Sequence, residues 1–547
     1  MKKSIYFFLI LQFTFGFPQS KISEIEKLSA TCKVWGFLKY YHPKVAKGDF
    51  NWDEQLFEML SKIEKTDNND EFSLVLENWI NNLGEIKEIA PIVLSKDIEY
   101  FDKNFDLSWF DNKRFSKKLF QKLKFIEKNR FQGNQFFIQK FEAGDVFAKN
   151  ENKSDLLITE KKHRLLLLFR YWNIIEYFYP YKYLMDNKWE KTLADLLPNF
   201  INLESEKDLQ LNMMKLFARL NDSHTYISTS AKNRDEKNCL PVKCKVIDYK
   251  LVVTKIGNDS LAVADDIRVG DAITKLNEKF ITELIEEKRH LISASNESFY
   301  LKQFSNAIIV GNEKTVSLEC LRNGITTKKT ITVLGIREAQ KNAFKKVKAE
   351  KFKLLPKNIG YVNMGEIEDK NIPDMITTLK NTEAIIFDMR NYPNDTWEEI
   401  AKFLNDKPKL FAIYTKPDLS YPGRFIWSEG TTCGTENKYN YKGKVIVLLD
   451  ENSISQSEWT AMCFQTAPNT TIIGSQTAGA DGNNSDFEYI KGFDTHFTGI
   501  GVYYPDRRET QRIGIVPDIE VKPTIKGIQE GRDEVLDRAL KFIETGK

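Results

Sequence analysis

Two stretches in the N-terminal half share one pattern of apolar and polar positions. VWGFLKYYHPKVAKGDFNWDEQLFEML begins at Val34, and YWNIIEYFYPYKYLMDNKWEKTLADLL begins at Tyr171. Each predicts a helix, a proline-containing turn and a second amphipathic helix. Chance similarity between aromatic-rich helices is the alternative, but six anchors in one gapless register favour duplication. The anchors are Trp35 with Trp172, Tyr40 with Tyr177, Pro43 with Pro180, Trp52 with Trp189, Leu56 with Leu193, and Leu60 with Leu197.

The pattern changes after the second copy. Short β-rich runs, with one helix around Glu283 to Ala294, extend from about Leu240 to Leu334, and a charged helix, IREAQKNAFKKVKAEKF, follows. From Asn358 onward apolar strand-like runs alternate with helical segments, which predicts an α/β domain with a largely parallel sheet. The predicted units are 1–20, 21–150 and 151–236 (both helical, one copy each), 237–335 (β-rich) and 336–547 (α/β).

Composition narrows the classes of function. The chain has 547 residues, 41% hydrophobic and 29% charged, which is typical of a folded soluble protein. Lys+Arg 80 against Asp+Glu 77 gives no support for nucleic acid as a partner. No Cys/His spacing indicates a metal site, and no cofactor is expected. Among the six cysteines, Cys239 and Cys244 are close enough in sequence to bridge in an oxidising compartment.

The first twenty residues, MKKSIYFFLILQFTFGFPQS, predict a secretory signal peptide. Lys2 and Lys3 precede a short apolar stretch, and Gly16 to Ser20 would contain the cleavage point. A first core helix is the alternative. The stretch is too short to span a bilayer stably, so we expect a soluble, exported protein, periplasmic or secreted, without stable membrane insertion. Homo-oligomerisation is left open.

The stretch ENSISQSE places three serines on alternate positions between a strand and a helix. KVIVLLD predicts a buried strand before it, so Ser455 lies at a strand-to-helix turn. The backbone N–H groups at a helix start can hold a developing oxyanion, which suits a nucleophile. Ser455 and Glu458 also fit the S-x-x-E capping box, which needs no chemistry at all.

A wider set of motifs resembles the S41 peptidase family, which includes C-terminal processing and tail-specific proteases and the tricorn protease core. The matching stretches are LNDSHT at Leu220, IRVGDAITKLN, IIFDMRNYPND at Ile385, NSISQSE with IIGSQTAGADG, and IGIVPDIEV at Ile513. The resemblance implies a multidomain α+β protein with an N-terminal helical region, a PDZ-like β module and a C-terminal α/β (ClpP/crotonase-like) catalytic domain. For the β module, any small β-barrel with a Gly-Asp turn is the alternative.

The resemblance also implies catalytic residues, with Ser455 as nucleophile. The lysine-using branch of the family would need a lysine at Ala480, and neither Lys nor Arg occurs between Ser455 and Lys491. The tricorn-like branch uses a Ser-His pair, which Ser223 and His224 match. His224 would be the general base and Ser223 would help to orient it.

For the supporting acid the resemblance points to Glu509, because the family's glutamate lies shortly before the Gly-Ile-x-Pro-Asp stretch. His496 is the rival base, since it lies in the same domain as Ser455.

One departure from the family concerns the oxyanion hole. Asn394 and Asp395 stand where the family has Gly-Gly, and both residue types tolerate a left-handed backbone. The N–H groups of Asn394 and Gln456 are therefore the expected donors. We expect an exported serine endopeptidase acting on peptides or proteins. The alternative is a catalytically weak or inactive protein of the same fold that binds peptides or another apolar ligand.

Overall fold

The computed structural model describes residues 21–93, 95–111, 114–151, 156–228, 237–308, 310–339, 349–490 and 493–547. The predicted signal peptide, residues 1–20, lies outside the described residues. So does most of the predicted charged helix over residues 336–352: at its start the structure has the short helix Ile336–Glu338, and at its end Phe352 begins the strand Phe352–Leu355. The described part is a mixed α+β protein of several units, as the sequence predicts.

The N-terminal half consists of helices that recur in the same order. The main helices of the first copy each have a counterpart in the second copy that starts 137 residues later, the separation of Lys161 from Glu24. The helices are Glu24–Tyr41, Pro43–Lys47, Trp52–Ile63 and Asn69–Asn82, then Lys117–Lys128, then Lys161–Phe178, Trp189–Ile201 and Glu206–Ala218. Short strands Tyr100–Phe101, Ile138–Lys140, Val146–Ala148 and Ile227–Ser228 accompany them.

Reciprocal tryptophan contacts give both copies the same internal geometry. The indole of Trp35 donates to the carbonyl of Trp52, and Trp52 donates back to Trp35, at 3.1 and 3.2 Å. Trp172 and Trp189 make the same two bonds at 3.1 and 3.0 Å. The ring centroids are 6.4 Å apart in each pair. Because an indole N–H needs a partner when buried, these bonds fix how the two helices of each copy meet.

The two copies cross at equivalent positions. Gly36 of the first copy lies against Asn173 of the second, and an added Cβ on Gly36 would lie 1.7 Å from Asn173 Oδ1. Asn173 Nδ2 donates to the carbonyls of Cys32 (3.1 Å) and Phe169 (2.8 Å). A glycine is therefore required where the helices Glu24–Tyr41 and Lys161–Phe178 approach most closely.

Ion pairs between the copies are also reciprocal. Lys33 of the first copy pairs with Glu190 of the second, and Arg170 of the second pairs with Asp53 of the first. Lys33 and Arg170 are counterparts in the alignment, as are Asp53 and Glu190. Both copies contribute to one hydrophobic core. The predicted division at residue 150 is therefore wrong: the copies form a single helical domain, because their first helices bury each other.

Residues 237–339 form the β module. Its main sheet is antiparallel, with Val242–Ile247 at one edge and Glu297–Ile308 packed across that strand. Its strands in spatial order are Ile325–Thr332, Thr315–Arg322, Ala272–Leu276, Lys250–Ile256 and Val242–Ile247, with Lys279–Phe280 paired to Ala272–Leu276. Its helices are Asp259–Ala264, Ile281–Lys288 and Glu297–Ile308, and Asn238–Cys239, Val310–Gly311 and Leu334–Gly335 pair separately. Cys239 and Cys244 are free thiols.

The C-terminal domain contains a six-stranded sheet whose last five strands are parallel, which confirms the prediction. The strand order is Phe352–Leu355, Ile359–Asn363, Ala384–Asp388, Lys444–Leu449, Thr470–Gly474 and Ile519–Glu520. The helices are Ile372–Leu379, Trp397–Leu404, Gln456–Phe464, Ile525–Gln529 and Glu534–Thr545. Apolar runs such as KVIVLL are buried on both faces, as expected of parallel strands.

Further strands of this domain join it to the helical domain. Tyr100–Phe101 adds to the hairpin Lys409–Pro417 and Phe425–Cys433, whose other side carries Gly501–Tyr503. Ile227–Ser228 adds to the hairpin Asn484–Ile490 and Phe493–Thr498. The sequence did not predict these pairings. Because they cross between domains, the helical domain is fixed directly against the C-terminal domain.

Among the described residues, no helix is both long enough and apolar enough to cross a membrane.

We expect Gly36→Ala to lower the free energy of unfolding by about 2 kcal/mol. The new methyl group must displace Asn173 and break its two bonds, while better helix propensity returns about 1 kcal/mol. The urea midpoint, followed by tryptophan fluorescence, measures the change. Gly335→Ala is the matched control, because nothing lies within 4 Å of the added Cβ. Equal midpoints for both variants would show that the crossing does not need glycine.

Candidate active site

Ser455 lies on a strained turn between the strand Lys444–Leu449 and the helix Gln456–Phe464. Its φ is 57° and its ψ is −115°, a conformation that costs a non-glycine residue of order 1–3 kcal/mol. A sharp strand-to-helix turn of this kind exposes the serine hydroxyl in hydrolases. The Ser455 side chain makes no capping hydrogen bond to the helix. The hydroxyl is therefore not used as the helix cap.

The serines on either side of Ser455 have structural partners. Ser453 Oγ donates to the Met389 carbonyl at 2.8 Å, and Ser457 Oγ donates to the Asn391 carbonyl at 3.2 Å. Both residues are fully buried. They fix the turn to the segment that follows the strand Ala384–Asp388. The alternate spacing thus gives two anchoring serines and one serine that lines a cavity.

Glu458 connects the serine turn to residues Thr477–Asp481, which we call the clasp. One carboxylate oxygen accepts from the N–H groups of Ser455 (3.2 Å) and Ala480 (3.1 Å). The other accepts from the Gly479 N–H (2.8 Å) and the Thr477 hydroxyl. Burial raises the pKa of Glu458, and these hydrogen bonds oppose that rise. The glutamate half of the predicted capping box is therefore present, but it also orders the clasp.

The clasp in turn holds the segment that carries His224. Ser223 Oγ donates to the Ala478 carbonyl at 2.8 Å, while the Ala478 N–H donates to the Ser453 carbonyl at 2.9 Å. Ser223 and Ser295 also exchange backbone-to-hydroxyl bonds of 2.9 Å in both directions. Ser223 therefore anchors the histidine turn to the serine turn.

His224 is held by a threonine and an aspartate. Its Nδ1 lies 2.8 Å from Thr498 Oγ1, and that hydroxyl donates to Asp222 Oδ1 at 2.9 Å. Because Thr498 has already given its proton to Asp222, it must accept from His224, so the proton lies on Nδ1. The Thr498 N–H adds a bond of 2.7 Å to Asp222 Oδ2.

This arrangement leaves His224 Nε2 as a lone-pair nitrogen. Nε2 is buried and has no hydrogen-bond partner in the described residues. Burial lowers the pKa of His224; Asp222 opposes this and His496 adds to it. The imidazole is therefore neutral at pH 7, as a general base must be. No hydrogen bond between described residues joins Nε2 to Ser455, which is common in unliganded sites.

Glu509 is not the acid that supports His224. Its carboxylate accepts from the Tyr183 hydroxyl at 2.7 and 2.8 Å and lies 3.7 Å from Lys103 Nζ. Asp222, acting through Thr498, has that place instead. Asp222 lies within the LNDSHT motif that the sequence analysis singled out. No sequence feature indicated Thr498, which is 274 residues from His224.

His496, the rival base, has a different partner. Its Nδ1 lies 2.6 Å from Asp486 Oδ1, and its ring lies 5.1 Å from that of Tyr226. It lies on the strand Phe493–Thr498, two residues from Thr498.

The two expected oxyanion donors differ in availability. No acceptor in the described residues takes the Gln456 N–H, and Gln456 lines the cavity beside Ser455. The Asn394 N–H donates to the Met364 carbonyl at 3.1 Å, and its amide to Ile367. Neither Asn394 nor Asp395 has a positive φ. In the structure the Asn394 N–H is therefore already used by Met364, and of the two expected donors only the Gln456 N–H is available.

The cavity beside Ser455 has a volume of about 510 Å³. It combines residues of the serine turn, the clasp and the strand Lys409–Pro417. Its lining includes Tyr392, Tyr414, Lys416, Ser455, Trp459 and Asp481. Within the described ranges, no three His, Cys, Asp or Glu side chains are grouped to hold a metal ion.

Comparison with known families adds independent information. The sequence model of peptidase family S41 matches residues 358–521, a range that contains Ser455 and the clasp. Most of the C-terminal domain is therefore similar in sequence to this peptidase family. The nisin-resistance protein of Lactococcus lactis subsp. lactis is 29% identical over 107 residues, 20% of this chain and 34% of that protein. The match therefore spans about a third of the length of that relative.

Solved structures extend the likeness beyond the S41 domain. Mature CPAF complexed with lactacystin has a TM-score of 0.57 at 14% identity, covering 72% of this chain and all of that one. Mature CPAF alone has a TM-score of 0.55 at 15% identity, covering 72% and 99%. At such identities the likeness shows a shared fold.

The pKa of His224 is directly measurable. We expect its imidazole to titrate below pH 6.5, because burial disfavours the charged form. Asp222→Asn should lower the midpoint further, since the carboxylate raises the pKa of His224. NMR of Cε1-labelled histidine measures this, with His224→Gln to assign the signal among the five histidines. A wild-type midpoint above 6.5, or an upward shift in Asp222→Asn, would contradict the relay.

Proposed function

We propose that this protein is a serine endopeptidase that hydrolyses peptide bonds through an acyl-enzyme on Ser455. The observation that carries the proposal is the strained turn that presents an uncapped Ser455 hydroxyl to a cavity. The S41 domain supports it. In this proposal the base is His224. This agrees with the histidine-using branch of the family, because Ala480 stands where the other branch has its lysine.

The proposed reaction has two balanced halves. Ser455 Oγ attacks the substrate carbonyl while its proton passes to His224 Nε2, and His224 returns that proton to the leaving amine. Water then attacks the acyl-enzyme, giving its proton to His224, and the Ser455 hydroxyl is restored. Asp222 stabilises the imidazolium through Thr498 in both halves. The approach of Ser455 Oγ to Nε2 completes this arrangement when substrate binds.

The oxyanion donors that we propose are the N–H groups of Gln456 and Tyr392. The first N–H groups of a helix have no intrahelical acceptor, and Gln456 opens the helix Gln456–Phe464. Tyr392 lines the same cavity, and its N–H has no acceptor among the described residues. Tyr392 thus replaces Asn394 in this role.

We propose that the β module recognises peptide in the manner of a PDZ domain. Its edge strand Val242–Ile247 and the helix Glu297–Ile308 border a cavity of about 1040 Å³. An edge strand can take up an extended peptide by β-augmentation. The cavity lining carries charges of both signs, and Lys245 pairs with Glu451 within it. The cavity reaches Asp450 to Asn452, directly before the serine turn. The substrates in view are therefore peptides or proteins.

Export through the N-terminal signal sequence is part of the proposal. It rests on Lys2, Lys3 and the apolar stretch after them. The rival function is a binding protein without catalysis. The absence of a Ser455–His224 hydrogen bond motivates it, but a binding protein needs neither the strained serine nor the free Nε2.

A serine-directed fluorophosphonate probe tests the proposal. We expect the mature protein to be labelled, Ser455→Ala to lose labelling entirely, and His224→Gln to be labelled at least 1000-fold more slowly, because the nucleophile loses its base. Gel fluorescence against time gives the rates. Ser428→Ala is the control, since Ser428 lies on the strand Phe425–Cys433 outside the site. Unlabelled, folded wild-type protein, with and without added peptide, would favour the binding protein.

Thr498→Val tests the relay separately. The substitution keeps the shape but removes the hydroxyl between His224 and Asp222, so we expect labelling to slow by about 100-fold. Thr498→Ser keeps the hydroxyl and should stay within about threefold of wild type. Equal rates for the two variants would show that His224 is oriented by other contacts.

A further inference from the structure

Asp481 is a buried carboxyl group in the wall of the cavity that contains Ser455. It is 2% exposed, and its Oδ1 accepts from the Gly482 N–H at 2.7 Å. Its Oδ2 is buried and has no hydrogen-bond partner in the described residues. An unsatisfied buried carboxyl oxygen is costly unless a ligand supplies the partner.

The walls around Asp481 suit a long side chain with a cationic end. The rings of Tyr414 and Trp459 are stacked, with centroids 5.9 Å apart, and Tyr392 stands 59% exposed at the cavity. Aromatic faces pack against aliphatic stems and attract cations. The Lys416 ammonium already lies 5.6 Å from the centre of the Tyr414 ring, which shows that a cation is accommodated there.

We propose that Asp481 determines specificity by pairing with a lysine or arginine side chain of the substrate, at the residue whose carbonyl Ser455 attacks. This inference rests on the proposed function and names the substrate class of the same site. Inside a low-dielectric cavity, an ion pair makes a basic side chain bind much more tightly than a neutral one of equal shape, because the neutral one leaves Asp481 Oδ2 unpaired.

Lys416 is the other charged residue of the cavity lining. Both residues line the cavity, and among the described residues Lys416 forms no ion pair with Asp481. The Lys416 ammonium opposes a second cation, and Lys416→Met should therefore improve the use of basic substrates by about two- to fivefold.

The pairing also predicts a dependence on pH. Burial, with Glu458 nearby, holds the pKa of Asp481 well above its usual range. The carboxyl group must lose its proton to pair with a cation, so selectivity for basic side chains rises with pH. The groups facing Asp481 are Glu458, Lys416 and the hydroxyls of Tyr181, Tyr414 and Tyr504. Titration of His224 affects basic and neutral ligands equally and cancels in their ratio.

Two matched peptide aldehydes test the inference without requiring turnover. Acetyl-Leu-Leu-argininal and acetyl-Leu-Leu-norleucinal differ only in the last side chain. Ser455 Oγ adds to the aldehyde carbon and its proton passes to the aldehyde oxygen, giving a hemiacetal that blocks the fluorophosphonate probe. We expect the argininal to protect Ser455 at a concentration at least 100-fold lower than the norleucinal. In Asp481→Asn the ratio should fall to about one.

The outcomes separate the two proposals. No labelling of Ser455 overturns the proposed function, and this inference with it. Labelling with a wild-type ratio near one overturns the specificity role alone. Unchanged selectivity in the Asp481→Asn variant also overturns the specificity role. So does an equal loss of protection by the two aldehydes in a folded Asp481→Asn variant. Asp506→Asn, on the surface, is the control for the substitution itself.

A second measurement uses only the wild-type protein and therefore tests the inference even if the Asp481→Asn variant does not fold. The wild-type ratio of the two aldehydes is measured from pH 5 to pH 9, and we expect it to rise with pH. A ratio that is constant over this range contradicts pairing with a carboxyl of raised pKa.

Discussion

The buried carboxylate of Glu458 is the contact on which the rest of the site depends. It accepts four donors from two parts of the chain, namely the Ser455 N–H of the serine turn, and the Thr477 hydroxyl and the N–H groups of Gly479 and Ala480 of the clasp. A charge in such a place is stable only when its acceptor sites are filled. The Glu458 carboxylate thus joins the strained backbone of Ser455 to the backbone of the clasp.

The clasp carries this order to the helical domain. Ser223 reaches the Ala478 carbonyl, and Thr498 links the strand Phe493–Thr498 to both Asp222 and His224. The base is therefore positioned by three units that are distant in sequence. The domain pairing at Ile227–Ser228 lies only three residues beyond His224, so that the same backbone holds both the base and the interface.

Local sequence signals predicted much of this arrangement. The repeat, the parallel sheet and the turn at Ser455 follow from periodicity and from residue types within a few positions. The resemblance to S41 peptidases identified His224 and Ser223 as candidate catalytic residues. Thr498 and the pairing of Tyr100–Phe101 with the hairpin could not be predicted, because nothing near those residues specifies a partner hundreds of positions away. The contact of Asn394 could not be predicted for a similar reason. Its N–H donates to the Met364 carbonyl, and the residues near Asn394 in sequence do not specify that partner.

The distance along the chain between His224 and Ser455 determines when, during synthesis and folding, the proposed activity can begin. The base belongs to a helical domain made early, and the nucleophile to a sheet made late. The clasp, which contacts both turns, comes after both in the chain. On the proposed mechanism, an incomplete chain therefore carries a serine with no base and a histidine with no nucleophile. On that mechanism, activity requires that the helical domain and the C-terminal domain have both folded and have packed together.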